Sequence, residues 1–218
     1  MTLLDTPFAL LGIILICAVS ISIFKFKLFN KKFNPKNPAA FLPQNHPAIT
    51  CPDEWNLFVV QPKRGDFLSD SKQFQLLNAE GLEIGQLIQK LHSHDDFLAL
   101  TALSLFCSDD LNIECRIKDA WSKYFIISIN GSEVGELKFR QESAIDSHFK
   151  FRLEQELFEA SPLTFSALSE GYIISDGTEP IAETRKTGIL PKAPVVVVTR
   201  KRLPLATQRF CAMLAEVF

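Results

Sequence analysis

The residues best suited to chemistry form two short clusters, the first of which combines histidine with aspartate. His92, His94, Asp95 and Asp96 make an H-x-H-D-D sequence. On a strand, two histidines at i and i+2 share a face that suits a metal ion. The alternative is a solvated helix start, where acidic side chains are favoured by the helix dipole. Because no third ligand stands at motif spacing, we expect no metal and no cofactor.

The second cluster is Arg200, Lys201 and Arg202, the densest basic run in the C-terminal part of the chain. Arginine presents paired donors that match phosphate oxygens, so one hypothesis is a site for phosphate or a lipid headgroup. The alternative is a solvated turn, since short charge runs mostly face water. We keep the run as the candidate ligand-binding site.

Sequence motifs do not indicate a common enzyme class. The chain has no GxSxG elbow, P-loop, dinucleotide fingerprint or H-E-x-x-H, so we predict no catalytic residue, and an enzyme without a recognisable motif stays an alternative. The 23 basic and 25 acidic residues give no overall positive field, which argues against nucleic acid as a partner. Five scattered cysteines suit a reducing compartment better than a disulfide framework.

The elements that would position these residues show a threefold pattern. Residues 74–90, 124–140 and 171–186 each read as an apolar strand, a turn with glycine, an Ile or Val beside a small residue, and a second strand. Asn130-Gly131 and Asp176-Gly177 are turn signals of β-hairpins. The small residue after each turn marks a place where a strand bends or another backbone approaches closely. These small residues are Gly85, Gly135 and Ala182.

Further patterns complete the predicted fold, which is mainly β (α+β). Short apolar segments predict four more strands, at residues 57–61, 112–117, 148–153, where apolar and polar residues alternate, and 194–199. Residues 93–107 have a plausible helix cap, although the same segment also suits a strand. Residues 203–218 predict a helix that is buried on most sides. We expect an antiparallel β-barrel or sandwich closed by this C-terminal helix.

The N-terminal segment predicts a transmembrane helix. Residues 8–24 carry no charge, and their strongly apolar side chains supply about −5 kcal/mol of insertion free energy. Lysines follow directly and none precedes, so the positive-inside rule places the N-terminus outside and the large domain in the cytoplasm. A secretory signal or a buried core helix are the alternatives. The lysines of this flank are Lys25, Lys27, Lys31 and Lys32.

The chain therefore divides into an anchor with its basic flank at residues 1–29, a linker at 30–52 and a β-rich domain at 53–218. Five of the twelve prolines fall in the linker, which favours an extended, semi-rigid stalk. Phe41 and Leu42 could instead fold back onto the domain.

The chain resembles the tubby-like and phospholipid-scramblase superfamily. The resemblance lies in repeated units of a strand, an Asp/Asn-Gly turn, an Ile-Gly pair and a second strand, followed by an apolar C-terminal helix. The resemblance covers residues 55–218. It implies a twelve-stranded barrel around the C-terminal helix, and binding to membrane lipids or to a protein without a hydrolytic site. The chain has no acidic calcium loop and no cysteine-rich palmitoylation cluster, and its anchor precedes the barrel. These departures favour binding over lipid transport.

We therefore expect a single-pass, membrane-anchored, non-enzymatic domain that engages lipid headgroups or a protein partner at the cytosolic face of the membrane. The alternative is an anchored structural or assembly factor of a membrane complex.

Overall fold

The computed structural model of the chain describes residues 33–63, 71–94, 97–119, 123–141, 147–163, 171–188 and 193–215. The predicted span at residues 8–24 and the lysine flank that follows it lie outside these ranges. Within them, no helix is both long enough and apolar enough to cross a membrane.

Twelve antiparallel strands form one closed barrel, in which each strand pairs with the next and β12 pairs with β1. The fold is thus a barrel and not a sandwich, and the mainly β prediction is confirmed. The strands are β1 Trp55–Pro62, β2 Ser71–Leu77, β3 Glu83–His94, β4 Phe97–Cys107, β5 Asn112–Asp119, β6 Tyr124–Ile129, β7 Ser132–Gln141, β8 Ser147–Leu153, β9 Glu156–Pro162, β10 Gly171–Ser175, β11 Pro180–Lys186 and β12 Val195–Arg200.

The threefold sequence pattern corresponds to three bulged hairpins, β2–β3, β6–β7 and β10–β11. In each, the register shifts just after the turn, so that one residue of the second strand has no opposite partner. The unpaired residue is Ile84, Val134 or Ile181, and all three side chains belong to or pack against the core. The predicted hairpins are confirmed, and the Ile or Val of the pattern is the bulge residue of each.

The C-terminal helix, Leu205–Leu214, lies inside the barrel. Its residues from Thr207 onward are buried on every side, and the chain beyond residue 215 is outside the described part. The Phe210 ring contacts that of Phe151 on β8, with centroids 5.0 Å apart, while the guanidinium of Arg209 lies 5.0 Å from the ring of Phe58 on β1. Because β1 and β8 are on opposite sides of the barrel, the helix fills its interior.

Two details of the strand prediction differ from the structure. Residues 97–107 form strand β4, so the helix interpretation of residues 93–107 was wrong and the strand alternative is correct for this part. Leu103, Leu105 and Cys107 are buried while Ser104 and Phe106 are not, which is the period of two expected of a strand. Strand β9 was missed, because only Phe158 and Ala160 of its seven residues are buried.

The linker does not extend away from the domain over its described part, so the stalk prediction was wrong for residues 33–52. It forms the short helical turns Pro38–Phe41, Pro47–Thr50 and Pro52–Glu54. Leu42 is buried with Trp55, Val196 and Val198 in a second apolar cluster on the outside of β1 and β12, and Phe33 and Phe41 pack against it. The alternative, folding back through Phe41 and Leu42, is what the structure shows.

Polar contacts fasten this linker to the barrel. His46 is 5% exposed, and its Nε2 lies 2.6 Å from Oε2 of Glu183 on β11. The Nδ1 atom of the same ring accepts a hydrogen bond from the backbone N–H of Ala48. Because Nδ1 accepts, Nε2 carries the proton that is donated to Glu183.

Candidate binding surfaces

The two ends of the barrel differ in their connections. Because successive strands run in opposite directions, every second connection lies at the same end. One end, here the tight-turn end, holds the turns at residues 78–82, 108–111, 130–131, 154–155 and 176–179, and the turn at 201–204 that leads into the helix. The opposite end holds the connections after β1, β3, β5, β7, β9 and β11.

Arg200, the first residue of the predicted ligand-binding run, is held by groups of the tight-turn end. Its Nη1 donates to Oε2 of Glu54 at 2.8 Å, and its Nη2 donates to Oε2 of Glu179 at 3.5 Å. The guanidinium lies 4.3 Å from the centre of the Trp55 ring. A cation on an indole face with two carboxylate partners is a structural clamp.

Arg202 has acidic partners as well. Its Nη2 contacts Oε1 of Glu179 and lies 3.5 Å from Oδ2 of Asp176. A side-chain hydrogen bond from Thr178, with the backbone N–H groups of Glu179 and Thr178, holds the pKa of Asp176 down at about 2. Asp176 therefore stays ionised and keeps its charge opposite Arg202.

The structure thus brings the predicted run together with an equal number of carboxylates. Arg200, Lys201 and Arg202 face Glu54, Asp176 and Glu179. Lys201 is exposed, and in the described part of the chain its side chain forms no ion pair, although its backbone N–H donates to the carbonyl oxygen of Glu54. Only Lys201 keeps a charge available for a ligand.

A group of three lysines at the opposite end was missed by the sequence reasoning. Lys72, Lys90 and Lys118 are exposed, and within the described residues none of them forms an ion pair. The strand registers place their backbone positions at one level of the barrel, because Lys72 pairs with Gln89, Lys90 pairs with Ala102 and Ala102 pairs with Arg116, two residues before Lys118. We call these three residues the lysine rim.

No signal in the sequence marks the lysine rim, because its members are 18 to 46 residues apart and each stands alone among other residues. Only the alternation of strand directions places them at one end. The same end also receives the acidic Asp95-Asp96 connection between β3 and β4, so the positive charge is local to the rim.

The tight-turn end carries acidic side chains. Glu80, Asp110, Glu154 and Glu156 are exposed there, and in the described part of the chain none of these four forms an ion pair. Among the described residues, carboxylates without an ion pair therefore lie at one end of the barrel and the lysine rim lies at the other.

Three thiols lie in the barrel interior, where burial suppresses their ionisation. Burial raises the pKa of Cys107 to about 11, with a smaller opposing effect of the Arg209 charge. It raises the pKa of Cys115 and Cys211 to about 12. These thiols are protonated at neutral pH and are poor nucleophiles, whereas Cys51 on the linker is exposed.

The histidine and aspartate cluster falls largely outside the described side chains. His92 and His94 lie on β3 and Asp95 and Asp96 follow it, but only the backbone of the two histidines is described. Among the side chains that the structure describes, no group of three His, Cys, Asp or Glu residues could hold a metal ion.

Comparison with known proteins gives no relative from which function could be transferred. No family model, curated protein or solved structure matches the chain. The resemblance to the tubby-like superfamily therefore stays a prediction from the chain's own sequence pattern.

Proposed function

We propose that the chain is a membrane-tethered, non-enzymatic binding barrel that engages an anionic partner at the cytosolic face of the membrane. The observation that carries the proposal is the lysine rim, Lys72, Lys90 and Lys118, which lie at the same end of β2, β3 and β5 and form no ion pair with a carboxylate in the described part of the chain. Uncompensated charge of one sign at one end of a molecule attracts partners of the other sign.

The path of the linker favours an acidic protein over the headgroups of the membrane that holds the predicted anchor. The carbonyl oxygen of Pro35 lies 3.4 Å from the position that a Cβ of Gly81 would take. Gly81 belongs to the β2–β3 turn, so the chain reaches the barrel at its tight-turn end. The lysine rim is at the other end and would face the cytosol.

The predicted headgroup site at Arg200, Lys201 and Arg202 receives less support from this geometry, since its two arginines are already paired with Glu54, Asp176 and Glu179. An alanine replacement of all three would also remove the clamp on Trp55. Lys201→Glu alone is the informative variant, because its ammonium has no ion-pair partner to lose among the described residues.

The test compares two charge-reversal variants of the full chain in nanodiscs. Lys72→Glu, Lys90→Glu and Lys118→Glu are combined in the first variant, and Lys201→Glu is the second. Binding of a poly-glutamate peptide should weaken by roughly one to two orders of magnitude in the first, since each basic residue beside an anionic surface contributes about 1 kcal/mol. The second should bind as the wild type does.

Unchanged peptide binding in the rim variant would refute the role of the rim. Flotation of the same proteins with vesicles that contain phosphatidylserine separates the two partner classes. If the rim variant loses vesicle binding and the wild type never binds the peptide, the partner is a lipid surface. Co-purification in mild detergent from cells with wild-type and rim-variant chains tests the assembly-factor alternative, which requires a protein lost with the rim charges.

A further inference from the structure

An apolar and acidic patch lies where the linker reaches the tight-turn end. The side chain of Leu82 is 64% exposed and that of Phe106 is 43% exposed, although most of the large apolar residues described in the barrel are buried. Glu80 and Asp110 flank them, and both are exposed without an ion-pair partner among the described residues. We call these four residues the turn patch.

The turn patch is one continuous surface because its two turns are hydrogen-bonded to each other. The backbone N–H of Ser108 donates to the carbonyl oxygen of Ile84 at 3.0 Å. This bond and the pairing of Gly85 with Cys107 hold the β2–β3 turn beside the β4–β5 turn. Leu82 and Glu80 come from the first turn, while Asp110 comes from the second and Phe106 from the end of β4.

The lysine flank directly precedes residue 33, where the described part of the chain begins. Residues 24–32 read FKFKLFNKK, in which aromatic or aliphatic residues alternate with lysines. An extended segment of this pattern presents apolar side chains on one face and lysines on the other or at its edges. Its charge and its apolar residues complement those of the turn patch.

Chain connectivity puts the flank within reach of the patch. Pro35 contacts the β2–β3 turn beside Gly81, so Lys32 and Lys31 are three and four residues away from it. Four residues span at most about 14 Å, which keeps both lysines close to Glu80. The remaining residues back to Lys25 can cover the distance to Phe106 and Asp110.

We propose that residues 25–32 dock on the turn patch, with their lysines against Glu80 and Asp110 and their apolar residues against Leu82 and Phe106. The docked segment fixes the barrel close to the point where the predicted anchor leaves the bilayer. It also neutralises acidic groups that an anionic leaflet would repel. The docking itself needs only chain connectivity and is independent of the binding role of the lysine rim.

Carbodiimide cross-linking of the full chain, at one chain per nanodisc, tests this inference, because the reagent joins a lysine to a carboxylate without a spacer. Mass spectrometry of the peptides should show Lys31 or Lys32 joined to Glu80 or Asp110. The matched internal controls are the ion pairs Lys63–Glu83, at 3.2 Å, and Lys150–Glu159, at 3.1 Å.

Control cross-links without any link from the flank to Glu80 or Asp110 would overturn the proposal. So would links from the flank to Glu154 or Glu156 at the far side of the same end in preference to the turn patch. In a Leu82→Ser and Phe106→Ser variant, the flank links should fall several-fold while the control links persist. Loss of peptide binding in the rim variant would leave this result unchanged, so each proposal can fail alone.

Discussion

At the residue scale, the three bulged hairpins depend on small side chains at one equivalent position. Gly85, Gly135 and Ala182 each follow the bulge residue. A Cβ at Gly135 would collide with the carbonyl oxygen of Arg152 on β8, and one at Gly85 would lie 2.9 Å from that of Phe106 on β4. The sequence pattern predicted the close approach of another backbone, and the structure identifies which strand approaches.

Gly135→Ala should destabilise the barrel by about 1 to 3 kcal/mol, because the added methyl group forces β7 and β8 apart. Urea unfolding followed by tryptophan fluorescence measures the change. Gly188→Ala is the control, since among the described residues its Cβ would meet the Cβ of Ala193 at 3.4 Å, an ordinary van der Waals contact. Equal stability of the Gly135→Ala and Gly188→Ala variants would show that the position after the bulge residue tolerates a side chain.

Asp176 makes the tight-turn end sensitive to acid. Its pKa is held at about 2 in the folded chain, first by the Thr178 hydroxyl, against an ordinary value of 3.8. The unfolded state therefore binds more protons between these pH values. The stabilisation that the ionised Asp176 gives the folded state is present above about pH 4 and is lost as the pH falls through about 2.

Asp176→Asn should consequently lower the midpoint of thermal unfolding at neutral pH, and the difference from wild type should shrink on going from pH 5 to pH 2. Midpoints measured at several pH values provide the test. A difference that stays constant with pH would contradict the assigned role of the ionised carboxylate.

At the element scale, the linker is the segment for which prediction from the sequence failed most clearly. Its proline content favours an extended conformation, and local preference was the only information that the sequence offered. Burial of Leu42 against Trp55 and the contact of His46 with Glu183, which is 137 residues away in the chain, outweigh that preference. Contacts between residues so distant along the chain cannot be deduced from local pattern.

His46→Ala should release the linker from the barrel. The variant loses the hydrogen bond to Glu183 and the cap on Ala48, and we expect a loss of about 1 to 3 kcal/mol together with faster chymotryptic cleavage after Phe41. Thr50→Ala is the control, because Thr50 is exposed and its side-chain hydroxyl donates to the carbonyl oxygen of Pro47 in its own turn. Unchanged cleavage after Phe41 would show that His46 does not fasten the linker.

Sequence periodicity was enough to predict the C-terminal helix, but it could not distinguish helix from strand for β4. In residues 97–107 the run of apolar residues suits either helix or strand, and only pairing with β3 and β5 resolves it. The C-terminal helix was predicted correctly because it is apolar around most of its circumference, which requires burial on all sides. The barrel supplies that environment.

At the scale of the whole molecule, the sequence predicted a barrel or sandwich, its three hairpins and a buried C-terminal helix, but not the distribution of charge on its surface. The basic run at Arg200 to Arg202 stood out in the sequence because its members are adjacent, yet the fold pairs its two arginines with carboxylates. The lysine rim is dispersed in the sequence and the fold assembles it. Proximity in sequence was therefore a poor guide to free charge in this chain.

The different charges at the two ends of the barrel suggest how it is oriented relative to the membrane. In the proposed arrangement, the predicted anchor and the lysine flank meet the acidic tight-turn end, and the lysine rim faces the cytosol. Residues 25–32 extend at most about 29 Å, so the barrel would stay near the bilayer. In this proposal, the fold serves to hold a binding surface at a fixed side of the membrane.

The central claim is that the barrel lies on the cytosolic side of the membrane. Labelling of Cys51 tests this claim most directly. Cys51 is exposed, whereas Cys107, Cys115 and Cys211 are buried, so a maleimide that cannot cross membranes reports on Cys51 in the native barrel. In sealed cells that express the chain, we predict that Cys51 stays unlabelled and reacts once the membrane is opened, with mass spectrometry assigning the modified residue. Labelling of Cys51 before the cells are opened would contradict the account.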